Sequence, residues 1–243
     1  MEYTEFKEEF EASLQKNGLE AMTEETVRRF YDFLEHLLKV NQITNLTAIR
    51  DAEGVIAKHF ADSLLISKYV PEGARVLDLG CGPGFPSLPL AIARPDLKII
   101  GLDSTAKKIA FVNETAALLS LKNISAFAGR AEDRAMIKRL GTFDVVTSRA
   151  VANPVVLAEL SLSYLKIGGK MLAMKGAMLE EETNALNGSK ILGIMGGERA
   201  TYTSWMLFTK DGEESRGMIE VRKEKAGDPK FPRAYATILK KPL

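Results

Sequence analysis

The spacing of apolar residues predicts helices at the start of the chain. Helices are expected over residues 2–17, 24–40 and 51–69, where large apolar side chains recur every three or four positions. A polar stretch over residues 41–49 separates the second helix from the third. Residues 1–70 are therefore expected to form a helical extension that packs on the rest of the chain.

From residue 71 to residue 243, short apolar runs alternate with helical periodicity. Five strands are predicted, over residues 75–79, 98–102, 123–128, 143–148 and 169–174, with helices near 86–93, 105–120, 131–140 and 154–166. This alternation is typical of a mostly parallel sheet with helices on both faces. Two later strands, over 201–208 and 217–223, are expected to add an antiparallel pair at one edge. The prediction is a Rossmann-like α/β domain with seven strands.

The first strand ends in an acidic residue and a run of glycines. Asp78 closes the strand, and Gly80, Gly82 and Gly84 follow at alternate positions. Glycines this close allow a sharp turn and let a ligand reach bare backbone amides. A strand, a glycine turn and a helix together indicate a nucleotide-type ligand site.

The details of this turn favour one class of ligand. Phe85 stands where the dinucleotide fingerprint has its third glycine, and the Gly-Lys-Ser/Thr ending of a P-loop is absent. The remaining pattern resembles motif I of class I methyltransferases, which bind S-adenosylmethionine (AdoMet). Asp103 ends the second strand, where a carboxylate can accept hydrogen bonds from both ribose hydroxyls.

Ligands of open α/β sheets lie beyond the carboxyl ends of the strands, which selects further candidates. Ser104 and Thr105 follow the second strand, and Ala131 and Glu132 follow the third. An acidic side chain or an amide after the third strand could contact the adenine amine. Ordinary helix capping by Glu132 or Asp133 is the alternative.

Two cations follow the last two parallel strands. Arg149 comes after the fourth strand and Lys175 after the fifth. A cation at the mouth of a cleft favours an anionic or electron-rich substrate. A surface salt bridge is the alternative for either residue.

Composition excludes several classes of protein. The single cysteine, Cys81, rules out an internal disulfide framework and fits a reducing cytoplasm. With two histidines and one cysteine, no metal site is expected. No apolar run approaches the roughly 18 residues of a membrane span, and the acidic N-terminus shows no signal peptide.

The net charge of +1 hides an uneven distribution. Residues 1–35 contain 10 acidic and 4 basic side chains, whereas residues 216–243 contain 8 basic and 3 acidic ones. The basic segment would suit an edge that contacts phosphates, and a solvated tail is the alternative.

The end of the fourth strand narrows the chemistry. Residues 148–154 lack the Asn/Asp-Pro-Pro-aromatic run of many enzymes that methylate exocyclic amines of bases. Methylation at carbon 5 of a pyrimidine needs a cysteine nucleophile, and Cys81 lies inside the glycine turn. The acceptor that remains is an atom that is already nucleophilic, or one that needs only a weak base. Guanine nitrogen 7 is of the first kind, because its lone pair is free. Its methylation needs alignment but no prior proton removal.

Along nearly its full length, the chain resembles the RsmG (GidB) family of bacterial 16S rRNA guanine-N7 methyltransferases. The matching segments are residues 45–47, 58–63, 78–90, 102–104, 107–108, 129–132 and 148–150. Motif I and Asp103 are common to the whole superfamily. The His-x-x-Asp-Ser element at 59–63 and the Ser-Arg-Ala element at 148–150 are more specific to this family. Residues 231–235 depart from the Tyr-Pro-Arg-Lys run that the family often has there.

The resemblance implies a site and a substrate. AdoMet would lie against Gly80, Phe85, Asp103, Ser104, Thr105, Ala131, Glu132 and Arg149, and motif I adds Asp78 and Gly82. His59 and Asp62 would lie near the cleft and, like Arg149 and Lys175, are candidates for positioning the substrate. That substrate would be a guanosine in the decoding-region loop of 16S rRNA, free or within the small ribosomal subunit. A monomer is expected.

Two other functions stay open at this point. In a small-molecule methyltransferase, Arg149 and Lys175 would bind a carboxylate, and activity would be insensitive to salt. A noncatalytic AdoMet- or RNA-binding module would bind its ligand without turnover. Fold alone does not separate these functions.

Overall fold

Seven strands form one mixed sheet in the computed structural model, which describes residues 1–149 and 153–243. In chain order they are β1 (Arg75–Leu79), β2 (Lys98–Asp103), β3 (Ile124–Ala128), β4 (Phe143–Arg149), β5 (Leu165–Lys175), β6 (Thr201–Thr209) and β7 (Gly212–Arg222). Their order across the sheet is β3-β2-β1-β4-β5-β7-β6. Strands β1 to β5 are parallel, whereas β7 is antiparallel to both of its neighbours. The predicted sheet with an antiparallel edge pair is confirmed.

Helices precede the sheet and connect its strands. In the described residues they are α1 (Tyr3–Lys16), α2 (Glu24–Thr44), α3 (Ala52–Val55), α4 (Asp62–Leu64), α5 (Ser87–Ala93), α6 (Ala106–Leu118), α7 (Arg134–Leu140), α8 (Pro154–Leu162), α9 (Leu179–Gly188), α10 (Ile191–Met195) and α11 (Tyr235–Lys240). A π-helical turn, Ile56–Ala61, joins α3 to α4. The predicted third helix is therefore not regular, and α4 ends at Leu64 rather than near residue 69. Asp51 caps α3 by accepting a hydrogen bond from the Gly54 amide at 2.8 Å.

The predicted boundary between α8 and β5 was wrong. The helix ends at Leu162, and β5 already begins at Leu165, which pairs with Phe143 of β4. The register then shifts, so that Val145 pairs with Lys170. The extra residues of β5 form this irregularity, and Gly168 lies within it at a φ of 84°. Gly168 and Gly169 are thus both part of a strand.

The two faces of the sheet bury alternate residues of each strand. One face forms a core with α5, to which the strands contribute Val76, Ile99, Val145 and Leu172. The other face forms a core with α8, to which the strands contribute Leu77, Val146, Met171 and Ala173. Buried strands of this kind are typical of parallel sheets covered on both faces.

A cluster of phenylalanines joins the N-terminal helices to the sheet domain. Phe6, Phe10, Phe30, Phe33 and Phe60 are fully buried. The rings of Phe33 and Phe85 stack with centroids 5.5 Å apart, so the cluster reaches the glycine turn. Aromatic side chains bury a large apolar area, which makes this a strong attachment. The division at residue 70 stays a prediction, because this core includes residues from both sides of it.

The C-terminal segment packs back on the sheet domain. Arg233 forms an ion pair with Glu159 of α8 at 2.6 Å, and Glu159 is 1% exposed. Part of the basic segment is therefore internal, while Lys240 and Lys241 are exposed. No helix in the described parts of the chain is long and apolar enough to cross a membrane.

Candidate functional site

The glycine turn after β1 has backbone conformations that favour glycine. Gly80, Gly82 and Gly84 have φ angles of 74°, 53° and 95°. A Cβ on Gly84 would lie 2.4 Å from Cδ1 of Leu88, so Gly84 also lets the turn pack against α5. A Cβ on Gly82 would have no heavy atom within 4 Å. The space beside Gly82 is open, which fits a ligand that contacts the backbone there.

Asp103 connects the ends of β2 and β1. Its Oδ2 accepts a hydrogen bond from the Gly82 amide at 3.0 Å, and its Oδ1 accepts one from the Thr105 amide at 2.7 Å. These bonds fix the carboxylate and leave each oxygen with a further lone pair. Such a carboxylate fits two neighbouring hydroxyls of a ribose.

Asp78 lies behind the glycine turn. It is fully buried, and its Oδ2 accepts a hydrogen bond from the Ser87 amide at 3.1 Å. Burial raises the pKa of Asp78 to about 6, against the hydrogen bonds from Ser87 that favour the charged form. It does not line the cleft. Its side chain contacts Ser87, the first residue of α5, and the hydroxyl of Thr147 on β4, which lies 3.5 Å from Oδ1.

A cleft of about 420 Å³ opens at the carboxyl ends of β1, β2, β3 and β4, a size that is ordinary for a small-molecule site. Nine of the predicted residues line it: His59, Gly80, Gly82, Phe85, Asp103, Ser104, Ala131, Glu132 and Arg149. Four predicted residues, Asp62, Asp78, Thr105 and Lys175, are not part of the lining.

One side of the cleft is made by side chains from separate segments, which we call the arginine–histidine wall (Thr47, His59, Phe85 and Arg149). The rings of His59 and Phe85 stack with centroids 4.3 Å apart, and the Arg149 guanidinium lies 5.1 Å from the Phe85 centroid. Nη2 of Arg149 lies 2.8 Å from Nδ1 of His59, and Nε2 of His59 lies 2.7 Å from Oγ1 of Thr47. Phe85, whose position in the sequence disfavours a dinucleotide site, provides the ring on which His59 and Arg149 pack.

The partners of His59 determine its protonation. Arginine can only donate, so Nδ1 must present its lone pair to Arg149. The Lys58 carbonyl, 3.2 Å from Nδ1, accepts instead from Arg149 Nη1 at 2.9 Å. The proton therefore lies on Nε2 and is donated to Thr47. Burial, together with the charge of Arg149, lowers the pKa of His59 to about 3, so the ring is neutral near pH 7.

Asp62 supports this wall from behind. Its Oδ2 lies 3.2 Å from Nη1 of Arg149, and its Oδ1 lies 3.7 Å from Nε of Arg216 on β7. Burial raises the pKa of Asp62, and the positive charges of the two arginines oppose that rise. Asp62 thus holds the guanidinium in place and is not exposed to the cleft.

The remaining predicted residues have structural partners. Lys175 forms an ion pair with Glu182 of α9 at 3.1 Å. The Ser148 hydroxyl donates to the Leu79 carbonyl at 2.8 Å and so joins the ends of β4 and β1. Asp133 caps α7 by accepting from the Ala135 amide at 2.8 Å, which is the capping alternative given above. Ala150 lies outside the described residues.

The predicted site omitted several residues of the lining, among them the polar residues Thr47, Lys108 and Tyr235. Thr47 belongs to a segment that was singled out by resemblance alone, and its chain position gives no sign that it faces β4. Tyr235 comes from the C-terminal segment, where the Arg130 guanidinium lies 6.0 Å from its ring centroid. Lys108 lies in the first turn of α6, which begins two residues after Ser104, and this closeness to a predicted residue could have indicated its position.

A seven-stranded sheet in this order, with a ligand cleft beyond β1 and β2, defines the class I methyltransferase fold. The chain is similar to an O-methyltransferase from Bacillus cereus solved in complex with SAH, with a TM-score of 0.52, 18% identity and coverage of 79% of this chain and 91% of that one. It is also similar to TYW2 from P. horikoshii in complex with MeSAdo, with a TM-score of 0.53, 17% identity and coverage of 68% and 62%. At these identities the likeness shows the fold.

The family follows from sequence. The family model GidB, described as rRNA small subunit methyltransferase G, matches residues 26–195. The ribosomal RNA small subunit methyltransferase G of Leuconostoc citreum is 39% identical over 241 residues, covering 97% of this chain and 98% of the relative. The protein of that name from Geobacillus thermodenitrificans is 39% identical over 238 residues, with the same coverage. The chain belongs to the GidB family, and the resemblance seen in its motifs is confirmed.

Proposed function

We propose that this protein methylates nitrogen 7 of a guanosine in the decoding-region loop of 16S rRNA. The cofactor is S-adenosylmethionine, and the substrate is small-subunit rRNA, free or in an assembling particle. Family membership supports the methylation of small-subunit rRNA. The choice of nitrogen 7 rests on the chemistry of the arginine–histidine wall.

The observation that carries the proposal is the state of His59. It is the one imidazole in the described lining of the cleft, and both of its nitrogens are engaged, Nδ1 by Arg149 and Nε2 by Thr47. With a pKa of about 3 it is a weak base near neutral pH. A wall of this kind suits an acceptor atom that loses no proton, and guanine nitrogen 7 is such an atom.

The glycine turn and the ends of β2 and β3 fit the cofactor. Asp103 has lone pairs left to accept from the ribose hydroxyls. The amides of Gly80 and Gly82 already donate to the Leu102 carbonyl and to Asp103, so the glycine turn would offer the cofactor open space and not the bare amides expected from the sequence. Glu132 and the backbone near Ala131, which line the cleft, would contact the adenine. When bound, AdoMet supplies a methyl carbon on a positively charged sulfur.

Protein groups then contribute alignment. The lone pair of nitrogen 7 forms the new bond to carbon, and the electron pair of the broken bond stays on sulfur, so no proton moves. His59 and Arg149, hydrogen-bonded to each other and packed on the Phe85 ring, would form a surface beside which the base is held. Positioning of this kind accounts for several kcal/mol of a barrier. Asp62 contributes indirectly, because it fixes Arg149.

The test uses 16S rRNA from cells that lack this modification. Purified protein and methyl-labelled AdoMet are added to the free rRNA and to small subunits, and the RNA is digested to nucleosides for mass spectrometry. We expect label in 7-methylguanosine, lost in Gly80→Asp and strongly reduced in Arg149→Ala. Lys166→Ala is the matched control, because Lys166 pairs with Asp144 near the start of β5, at the far end of the sheet.

The outcomes separate the alternatives. Label in another nucleoside would contradict the nitrogen 7 assignment and leave the fold and the cofactor intact. Tight AdoMet binding with no label in RNA or in subunits would favour the small-molecule or the noncatalytic function. The structure gives the small-molecule function little support, because Arg149 already contacts His59, Lys58 and Asp62 and because Lys175 does not line the cleft.

A further inference from the structure

Thr47 stands at the end of a chain of oriented hydrogen bonds. Arg149 donates to Nδ1 of His59 at 2.8 Å, and Nε2 of His59 therefore donates to Oγ1 of Thr47 at 2.7 Å. The amide of Ile49 also donates to Oγ1 of Thr47, at 3.2 Å. A hydroxyl has two acceptor lone pairs and one proton. Both lone pairs of the Thr47 hydroxyl thus accept hydrogen bonds within the protein, and its proton is left to donate to another group.

The backbone around Thr47 is fixed independently of this chain. The side-chain amide of Asn41 donates to the carbonyl of Thr47 at 3.0 Å, and Oδ1 of Asn41 accepts from the Thr47 amide at 2.9 Å. Asn41 is 2% exposed, and the neighbouring Leu46 is buried in the phenylalanine cluster. Thr47 lines the cleft. No described residue provides an acceptor for its hydroxyl proton among the hydrogen bonds of this region.

We propose that Thr47 is a specificity-determining residue, whose hydroxyl can only donate and which hydrogen-bonds to oxygen 6 of the target guanine. The inference rests on the proposed function. On the edge of guanine that bears nitrogen 7, the neighbouring group is the acceptor O6; on adenine the neighbouring group is the donor N6 amine. A donor that cannot become an acceptor would bond to guanine and oppose an adenine amine. Adenine also has an acceptor nitrogen 7, so the methylated atom alone does not distinguish the two bases.

Arg149 is the reason that Thr47 can donate a hydrogen bond to the base and cannot accept one. If Nδ1 of His59 carried the proton, Nε2 would accept from Thr47, and the threonine would offer a lone pair to the cleft instead. The guanidinium, 2.8 Å from Nδ1, excludes that tautomer because it has no lone pair to offer. Arg149 therefore acts on base choice through His59, as a positioning residue.

The experiment combines variants of Thr47 with a change in the base. Thr47→Val removes the hydroxyl at nearly constant shape, and Thr47→Ser keeps it. The RNA is 16S rRNA joined from transcribed flanks and a synthetic segment, with guanosine or 2-aminopurine riboside at the target position. 2-Aminopurine keeps nitrogen 7 and lacks O6. Single-turnover methylation rates and AdoMet dissociation constants are measured for each pair.

With guanosine, we expect Thr47→Val to slow methylation about 10- to 100-fold, the effect of one lost hydrogen bond to a buried group. Thr47→Ser should stay within about threefold of wild type, and the affinity of both variants for AdoMet should be unchanged. With 2-aminopurine, wild type should slow by a similar factor and Thr47→Val should slow no further. A merely structural role of Thr47 would not produce this loss of additivity.

Several results would overturn the inference. The first is that Thr47→Val is fully active, and the second is that Thr47→Val loses as much AdoMet affinity as it loses rate. The third is that Thr47→Ser is as slow as Thr47→Val. The fourth is that Thr47→Val and 2-aminopurine slow methylation independently of each other. Failure of the proposed function looks different, because wild type would then place no label in 7-methylguanosine in unsubstituted rRNA.

Discussion

The two sides of the cleft are built in different ways. The glycine turn, residues 80–84, is made of backbone from one continuous segment, and Asp103 holds it from the next strand. The arginine–histidine wall is made of side chains, from a loop after α2, a π-helical turn, the residue after the glycine turn and the end of β4. A backbone surface recognises what a whole superfamily shares, whereas a side-chain surface can change with the substrate. The first side suits a common cofactor and the second a particular acceptor.

The largest effect is expected at the ion pair of Arg149 with Asp62, which supports the arginine–histidine wall from behind. Arg149→Met would leave Asp62 without its nearest cation in a site where Asp62 is 5% exposed. Breaking a buried pair on one side costs about 3–5 kcal/mol in the free energy of unfolding. Urea denaturation of the single variant measures this loss.

The control is the double variant Arg149→Met with Asp62→Asn. It should recover part of the lost stability, because no charge remains buried, and it should stay as inactive on rRNA as the single variant. A loss below about 1 kcal/mol for Arg149→Met would mean that solvent already reaches this pair.

The next effect concerns Asp78, which lies behind the glycine turn. Its ionisation makes the stability of the protein depend on pH. The pKa of Asp78 is about 6 in the folded protein, against 3.8 for an exposed aspartate. The folded state therefore holds the proton more tightly, and wild type loses stability as pH rises from about 4 to about 6. One pKa unit corresponds to about 1.4 kcal/mol, so the full effect is about 3 kcal/mol.

Asp78→Asn has no such titration. Its stability relative to wild type should therefore increase by about that amount between pH 4 and pH 7. Unfolding by urea at several pH values measures the difference. Asp96→Asn is the matched control: Arg94 lowers the pKa of Asp96 to about 2, so its difference from wild type should be flat over this range. If the difference in stability between Asp78→Asn and wild type were also independent of pH, the raised pKa of Asp78 would be contradicted.

The two sides also differ in how far the sequence predicts them. The glycine turn and Asp103 are neighbours through strand order, so short motifs and the alternation of strands are enough to bring them together. Thr47, His59 and Arg149 are brought together by the docking of the N-terminal helices, which depends on the phenylalanine cluster. No spacing in the chain encodes that docking. Resemblance to a family pointed to His59 and Asp62, and it gave no role to Thr47.

A smaller effect separates two glycines of the same turn. Gly84→Ala would place a methyl group 2.4 Å from Leu88 at a φ of 95°, whereas Gly82→Ala adds one in open space at a φ of 53°. Both variants meet backbone strain of about 1–2 kcal/mol. Overpacking should add about 1–3 kcal/mol for Gly84 alone.

Thermal unfolding and AdoMet calorimetry distinguish the two variants. Gly84→Ala should be the less stable protein. Gly82→Ala should keep more of its stability and lose affinity for AdoMet, because its methyl group fills space that we assign to the cofactor. Equal stability of the two variants would mean that Leu88 moves aside at little cost.

The smallest effect distinguishes Glu132 from Asp133, two adjacent acidic residues after β3. The sequence left helix capping and contact with the cofactor as alternative roles for such a residue. Asp133 caps α7, so Asp133→Ala should cost about 1 kcal/mol in the free energy of unfolding and leave AdoMet affinity unchanged. Glu132 lines the cleft and does not cap the helix. Glu132→Ala should change stability by no more than about 0.5 kcal/mol and weaken AdoMet binding. The same substitution at neighbouring positions thus gives opposite results in denaturation and in calorimetry. If Glu132→Ala binds AdoMet as wild type does, the side chain of Glu132 makes no contact that matters for the cofactor, and only the backbone at the end of β3 could contribute.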